Sequence, residues 1–235
     1  MIRGGPHVEV LNAVSLHGGL VASWPREAIT AAVVREALVE HWRAVGRPAY
    51  AQFDNDTRFQ GPHQHPDVVG SVMRLCLGLG VVPVFAPPRA SGFQAAIEGD
   101  NGRWQAKVWA RFEHASLAAL QAQSAKFVAA SRQRAAAQSA AAPDRRVFPA
   151  DWRLNLHAHP HGLVIFRRRA TERGAVGLLG HTFDVDPHWP YRLVRAEVDL
   201  DTDVIRFYAL RRRDPTAQPL LRTGPYQLPR RAYED

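Results

Sequence analysis

Apolar and polar residues first set a short-range rhythm. Val8-Glu-Val-Leu-Asn-Ala-Val-Ser15 is β-prone, His17-Gly-Gly19 breaks it, and Leu20-Val-Ala-Ser-Trp24 resumes it, which predicts a hairpin. The spacing then lengthens. From Arg26 to Val45 the apolar positions Ile29, Val33, Ala37 and Trp42 recur at helical intervals, with Pro25 where a helix begins and Gly46 as its stop. Ala49 to Phe53 reads as a short buried strand, and Pro66 to Gly78 as a helix stopped by Leu79-Gly80. Val81 to Phe85 is a strand whose internal Pro83 favours a sheet edge. Pro87 to Gly92 is a loop. Phe93 to about Ala140 reads as helix in two pieces, broken near Glu113-His-Ala-Ser116.

The pattern shifts again around residues 141–150. Ala141-Ala-Pro-Asp-Arg-Arg-Val-Phe-Pro149 reads as a linker, and the runs after it are short and strand-like. They are Leu163–Phe166, Ala175–Leu179, His181–Val185, Leu193–Val198 and Val204–Leu210, separated by Asp- and Gly-rich turns. Five short strands at this spacing predict a small β-barrel. The expectation is therefore an α/β domain over 1–140, a linker over 141–150 and a β-barrel domain over 151–235.

Composition adds two constraints. Of the 235 residues 46% are hydrophobic, enough for a packed core, and the formal net charge of +8 makes polyanions plausible partners. The cations are nearly all arginine, since only Lys107 and Lys126 are lysines. Arginine forks phosphate bidentately, although a basic, inert surface carries the same charge. The lone Cys76 sits in an apolar run and reads as a buried, unreactive thiol. The first residues lack the apolar core of a signal peptide and no run approaches membrane-spanning length, so the protein is expected in the cytoplasm or on the nucleoid, away from membranes.

The candidate chemistry lies in two carboxylates. Asp54 follows the strand ending at Phe53, where sheet enzymes place ligands. Glu98 lies in the first turns of the helix whose apolar stripe is Phe93, Ile97, Trp104 and Val108, with Asn101 and Gln105 on the same polar edge. Two-metal phosphoryl transfer uses carboxylates to bridge hard cations about 4 Å apart. The plain alternative is that Asp54 opens a turn and Glu98 caps a helix.

The surrounding residues bear on that choice. Asp54-Asn55-x-Thr57-x-Phe59, then a strand, then Pro88-Arg-x-x-Gly92, then Glu98-x-x-Asn101 together resemble the catalytic core of DDE transposases and retroviral-type integrases. The likeness spans roughly residues 8–112 and is nearest to bacterial insertion-sequence transposases. It implies an RNase H-like mixed sheet flanked by helices, followed by an SH3-like β-barrel that binds DNA. It further implies DNA cleavage and strand transfer with a Mg²⁺ (or Mn²⁺) pair on Asp54 and Glu98. Asn101, Arg103 and Lys107 would meet DNA on the glutamate's helix, and the enzyme would act on transposon ends and target DNA as a homo-oligomer. In the tail, Arg167, Arg168, Arg211 and Arg212, with Phe166, Trp189, Phe207 and Tyr208, are candidates for a DNA-backbone face. That tail also holds 14 Arg against 11 Asp and Glu over residues 151–235, a net of only +3.

The chain departs from the family pattern in three places. Asp56 stands where the family usually has Gly and reads as a solvated turn residue rather than a spare ligand. The 44 positions from Asp54 to Glu98 exceed the usual gap, and Gln60 to His65 reads as the inserted loop. No Asp precedes Asp54, and Glu9 lies on the wrong strand to replace the family's first acid. The expectation is an N-terminally truncated chain, inactive as written, with a non-catalytic DNA-binding remnant as the alternative function. His63-Gln-His65 and His157-Ala-His-Pro-His161 read as exposed loops, having no Cys partner for zinc. Nucleotide-binding glycine signatures are absent.

Overall fold

The computed structural model describes residues 7–62, 65–90, 92–211 and 213–230. The chain divides into two compact units, one of residues 1–45 and 94–145, the other of 46–93 and 146–235.

The first unit contains the predicted hairpin. Strands β1 (Glu9–Val14) and β2 (Val21–Arg26) pair antiparallel, Val14 opposite Val21 and Glu9 opposite Arg26. Ser15 closes the turn, its carbonyl accepting from Gly19 N, and Gly19 has the positive φ of 60° that this tight reversal needs. Pro25 does not open a helix. It lies in β2 opposite Val10, which a two-stranded sheet tolerates because each strand has an unpaired edge. Helix α1 (Ala31–Val45) starts later, where Thr30 Oγ1 accepts from Val33 N. Its buried residues Val34, Ala37, Leu38, His41 and Trp42 form one stripe.

Two helices pack on the hairpin: α4 (Ala95–Trp104), prolonged by a π-helical turn at Gln105–Trp109, against β1, and α5 (Leu117–Arg134) against β2. A short α6 (Ala136–Ala140) follows. The expected break before α5 is present, and Ser116 caps α5 by accepting from Ala119 N. His114 is buried in that break with Nε2 3.0 Å from Val108 O. Trp104, Val108, Leu120 and Phe127 form a core, and Trp104 Nε1 donates to Ser124 Oγ across it.

The second unit is a six-stranded mixed sheet in the order β10-β9-β8-β5-β4-β3. Strands β3 (Tyr50–Phe53), β4 (Val82–Phe85) and β5 (Leu163–Arg169) run parallel, while β8 (Leu193–Asp199), β9 (Val204–Ala209) and β10 (Leu220–Pro225) continue antiparallel. A separate hairpin joins β6 (Ala175–Leu178) to β7 (His181–Asp184). All five strands read from the tail are present, and β10 is additional.

Those strands close no barrel among the described residues. Four of them extend the β3–β4 sheet, because Val84 and Phe85 pair with Ile165 and Phe166. One face of the joined sheet is apolar from Phe85 through Val164, Phe166, Val194, Ala196 and Val198 to Ile205 and Phe207, and it carries the larger core. The architecture is thus α/β, a mixed sheet with helices. The sheet crosses the expected 141–150 linker, whose residues fall on both sides of the boundary between units.

Pro83 is not on an edge strand, since β4 lies between β3 and β5. Val82 N donates toward β3, to Ala49 O, so the next position faces β5, and β5 pairs only from Val84 onward. No ladder bond is lost. The predicted Pro66–Gly78 helix begins instead at Ser71 (α3, Ser71–Gly78). Asp67 adopts φ 62°, and Gly70 packs so tightly that a Cβ there would lie 2.5 Å from Gly61 N. A four-residue helix, α2 (Thr57–Gln60), precedes that loop. No helix among the described residues is long and apolar enough to cross a membrane.

Candidate functional site

In the sheet unit, Asp54 is exposed immediately after β3. Its Oδ1 accepts from Asp56 N at 2.9 Å, so one oxygen holds the turn. Asn55 is fixed to the sheet, donating from Nδ2 to Ala86 O and accepting from Gln60 Nε2, each at 2.6 Å.

Asp56 is not simply a solvated turn residue. It caps α2, accepting from Arg58 N, and pairs with the Arg58 guanidinium at 2.8 Å. An aspartate suits this position because the chain starts a helical turn here that needs a cap. Asp56→Ala is expected to cost about 1 kcal/mol in denaturant unfolding, the usual value of an N-cap. If the chain binds Mg²⁺, the variant should bind it equally, and a weakened Mg²⁺ titration would instead make Asp56 a ligand.

In the other unit, Glu98 is exposed in the first turn of α4, with Asn101 and Gln105 exposed beyond it. Asn101 Oδ1 accepts from Asn12 Nδ2 at 2.8 Å, and Asn12 in turn accepts from Ser23 Oγ. Glu9, the other early carboxylate, is engaged elsewhere, accepting from Ile29 N just before α1. Both Asp54 and Glu98 offer the exposed, hard oxygen donors that Mg²⁺ takes. Among the described residues no three His, Cys, Asp or Glu side chains gather as a metal-binding group.

The basic candidates divide likewise. Arg103 and Lys107 line a cavity of about 280 Å³ in the hairpin unit together with Arg134, Ser131 and Gln138. Arg103 pairs with the buried Asp100 at 3.0 Å, and Arg134 donates to Ser131 Oγ. Three cations converge there, and among the described residues no carboxylate lines the cavity. Arg134 escaped the sequence reading because only the packing of α4 near α5 brings it within reach of residues some thirty positions earlier.

On the sheet, Arg167 donates to Gln52 Oε1 at 2.7 Å and lies 5.6 Å from the Phe93 ring centre. Its cross-strand neighbour is a second cation, Arg195, and burial together with that charge lowers the Arg167 pKa. Arg195 is a further residue the sequence did not single out. It stacks on Tyr208 and pairs with Glu197 at 3.3 Å. Arg168 points to the opposite, core-bearing face. Arg211 lies 6.0 Å from the Trp189 ring centre, which Arg192 also covers at 4.6 Å. Arg212, expected beside it, lies outside the described residues, as does His63.

The remaining sequence candidates are placed simply. His65, His157, His159 and His161 are exposed. Cys76 is fully buried, and burial pushes its thiol pKa up, as expected of an unreactive cysteine.

No family model matches the chain, and no curated protein matches it either.

Proposed function

We propose that this chain is of the DDE transposase and integrase type, a DNA-recombinase architecture of which it carries two acids, Asp54 and Glu98, and not the first. The observation that carries the reading is the order of its acids and elements. A hairpin and a helix precede a parallel strand with Asp54 directly after it, and a crossover, a second parallel strand and a helix with Glu98 in its first turn follow. The RNase H-like topology belongs to this proposal. So does DNA binding by the C-terminal strands in the manner of an SH3-like module, here built into a sheet.

On this reading Asp54 and Glu98 are carboxylate ligands of a Mg²⁺ or Mn²⁺ pair, which when bound activates the attacking hydroxyl and stabilises the leaving oxygen. The protein's own contribution is charge and orientation. Asn55 fixes the turn that presents Asp54. Arg103, Lys107 and Arg134 attract the phosphate backbone, and Arg167 and Arg211 lie on stacked aromatic supports suited to the same task. DNA, and further copies of this chain, are the proposed partners.

The test is a duplex-binding titration across salt concentrations, followed by a Mg²⁺-dependent cleavage assay. Binding should weaken steeply with salt and similarly for unrelated sequences. Lys107→Ala combined with Arg134→Ala should reduce the salt slope by about 2. Cleavage that vanishes in Asp54→Asn and Glu98→Gln while binding persists supports the enzyme. Salt-sensitive binding without cleavage supports the non-catalytic DNA-binding alternative. A flat salt response removes both.

A further inference from the structure

The core face of β5 ends in a charge. Val164 and Phe166 are buried on that face, and Arg168 is the next residue in the same row. Its guanidinium lies 5.0 Å from the Phe166 ring centre, and its one hydrogen bond among the described residues runs from Nη1 to the Arg167 carbonyl at 3.0 Å. No described carboxylate forms an ion pair with it. Burial lowers its pKa to about 10. Arg168 is half-buried, so its guanidinium keeps some access to solvent while lacking a carboxylate partner among the described residues, and an anion could meet it there.

Arg168 also lines a cavity of about 440 Å³ that lies wholly within the sheet unit. This volume suits a small ligand. Asn55, Gln60 and Thr182 line it, together with the apolar Val68, Met73 and Leu178.

The walls are held by contacts that owe nothing to a ligand. Gly70 N donates to Gln60 O at 2.8 Å, where only glycine fits. Gly180, at φ 76°, sits so close to Pro66 that a Cβ would come within 2.5 Å of its Cα. Asp67 joins the two sides, accepting from His181 Nε2 at 2.7 Å and from the Tyr226 hydroxyl at 2.9 Å. The cavity is therefore pre-formed, which keeps the ordering cost of binding low.

The geometry points to a binding site for a phosphate monoester with a compact, ring-sized body, its phosphate on Arg168 and its body against Met73, Val68 and Leu178. A guanidinium fork matches two phosphate oxygens, and Thr182 lines the same cavity for a polar substituent. The assignment does not rest on the recombinase reading, because neither Asp54 nor Glu98 lines this cavity.

Phenyl phosphate titrated into the full chain, followed by amide chemical shifts and calorimetry, is the test. Saturable binding is expected, roughly tenfold or more tighter than inorganic phosphate, with shifts at Phe166, Gly177 and Thr182. Arg168→Met should weaken it by roughly tenfold or more, the scale of a lost charge-assisted hydrogen bond. Gly177→Val keeps the arginine but narrows the cavity. A Cβ at Gly177 meets no atom within 4 Å, so the variant should fold with an unchanged Tm and still lose binding. A 5′-phosphorylated oligonucleotide that displaces phenyl phosphate, when its unphosphorylated form does not, makes a strand terminus the source. Failure of both to displace makes it a free ester. No saturation at millimolar concentration, or binding as tight as the wild type's in both variants, overturns the site.

Discussion

Replacing Phe85 by alanine is expected to remove about 3–5 kcal/mol from the stability of the sheet unit. Phe85 is fully buried at the point where the two halves of the sheet join. It pairs with Phe53 of β3 on one side and Phe166 of β5 on the other. Its ring stands 6.0 Å from Phe53 and 5.2 Å from Phe166, and Phe53 stacks on Phe59 of α2 at 5.1 Å. Alanine would delete the middle of that row and leave a cavity that backbone paired on both sides cannot collapse to fill. A loss of that size is a large part of the 5–15 kcal/mol typical of a whole domain. Phe85→Leu, which keeps most of the volume, should cost less than about 2 kcal/mol. Denaturant unfolding followed by amide exchange in β4, β5 and β8 reads the effect on this unit. A loss below about 1 kcal/mol for the alanine variant would mean that β4 and β5 are not held together by this row.

That junction is one that local sequence pattern does not encode. Periodicity was sufficient for the hairpin, for the two-piece helix with its break at His114, and for five tail strands, since each depends on residues close in the chain. It did not reveal that Val84 and Phe85 pair with Ile165 and Phe166, eighty positions away. Short strands of alternating pattern serve a barrel or an extended sheet equally well, and the choice is made by partners that local pattern does not encode. Pro25 and Pro83 were misjudged for a related reason. A proline's tolerance depends on whether its missing N–H faces a partner, and that depends on register. The candidate residues divide in the same way. Residue types and order single out Asp54 and Glu98, and the structure shows each as exposed, Asp54 after β3 and Glu98 in the first turn of α4. The grouping of Arg134 with Arg103 and Lys107, the Arg167–Arg195 pair and the Arg168 cavity all arise from packing between distant segments. Asp56 was legible only in part, because Asp-Thr-Arg is a capping signal whose helix is too short to show periodicity.

Lowering the pH from 7 to 4 should cost the hairpin unit about 3 kcal/mol through one residue, His41. It is 8% exposed on α1, edge-on to Trp24, with Nδ1 3.4 Å from an Arg132 guanidinium nitrogen. Burial first, then the charges of Arg132 and Arg145, lower its pKa from 6.5 to about 4. In the folded protein it is therefore neutral, its Nδ1 lone pair facing Arg132 and the proton on Nε2. The unfolded chain takes up a proton near pH 6.5, whereas the folded chain resists until about pH 4. Between those values the unfolded state binds more protons, so stability falls as pH falls. The contribution is fully present above about pH 6.5 and lost by pH 4, and the gap between the two pKa values corresponds to about 3 kcal/mol. His41→Gln retains an acceptor for Arg132 and cannot titrate. Its unfolding free energy should vary less across that window by about the same amount, while at pH 7 the two proteins should be close. Parallel pH profiles for the wild type and the variant would show that His41 charges freely in the fold, and that acid sensitivity arises elsewhere.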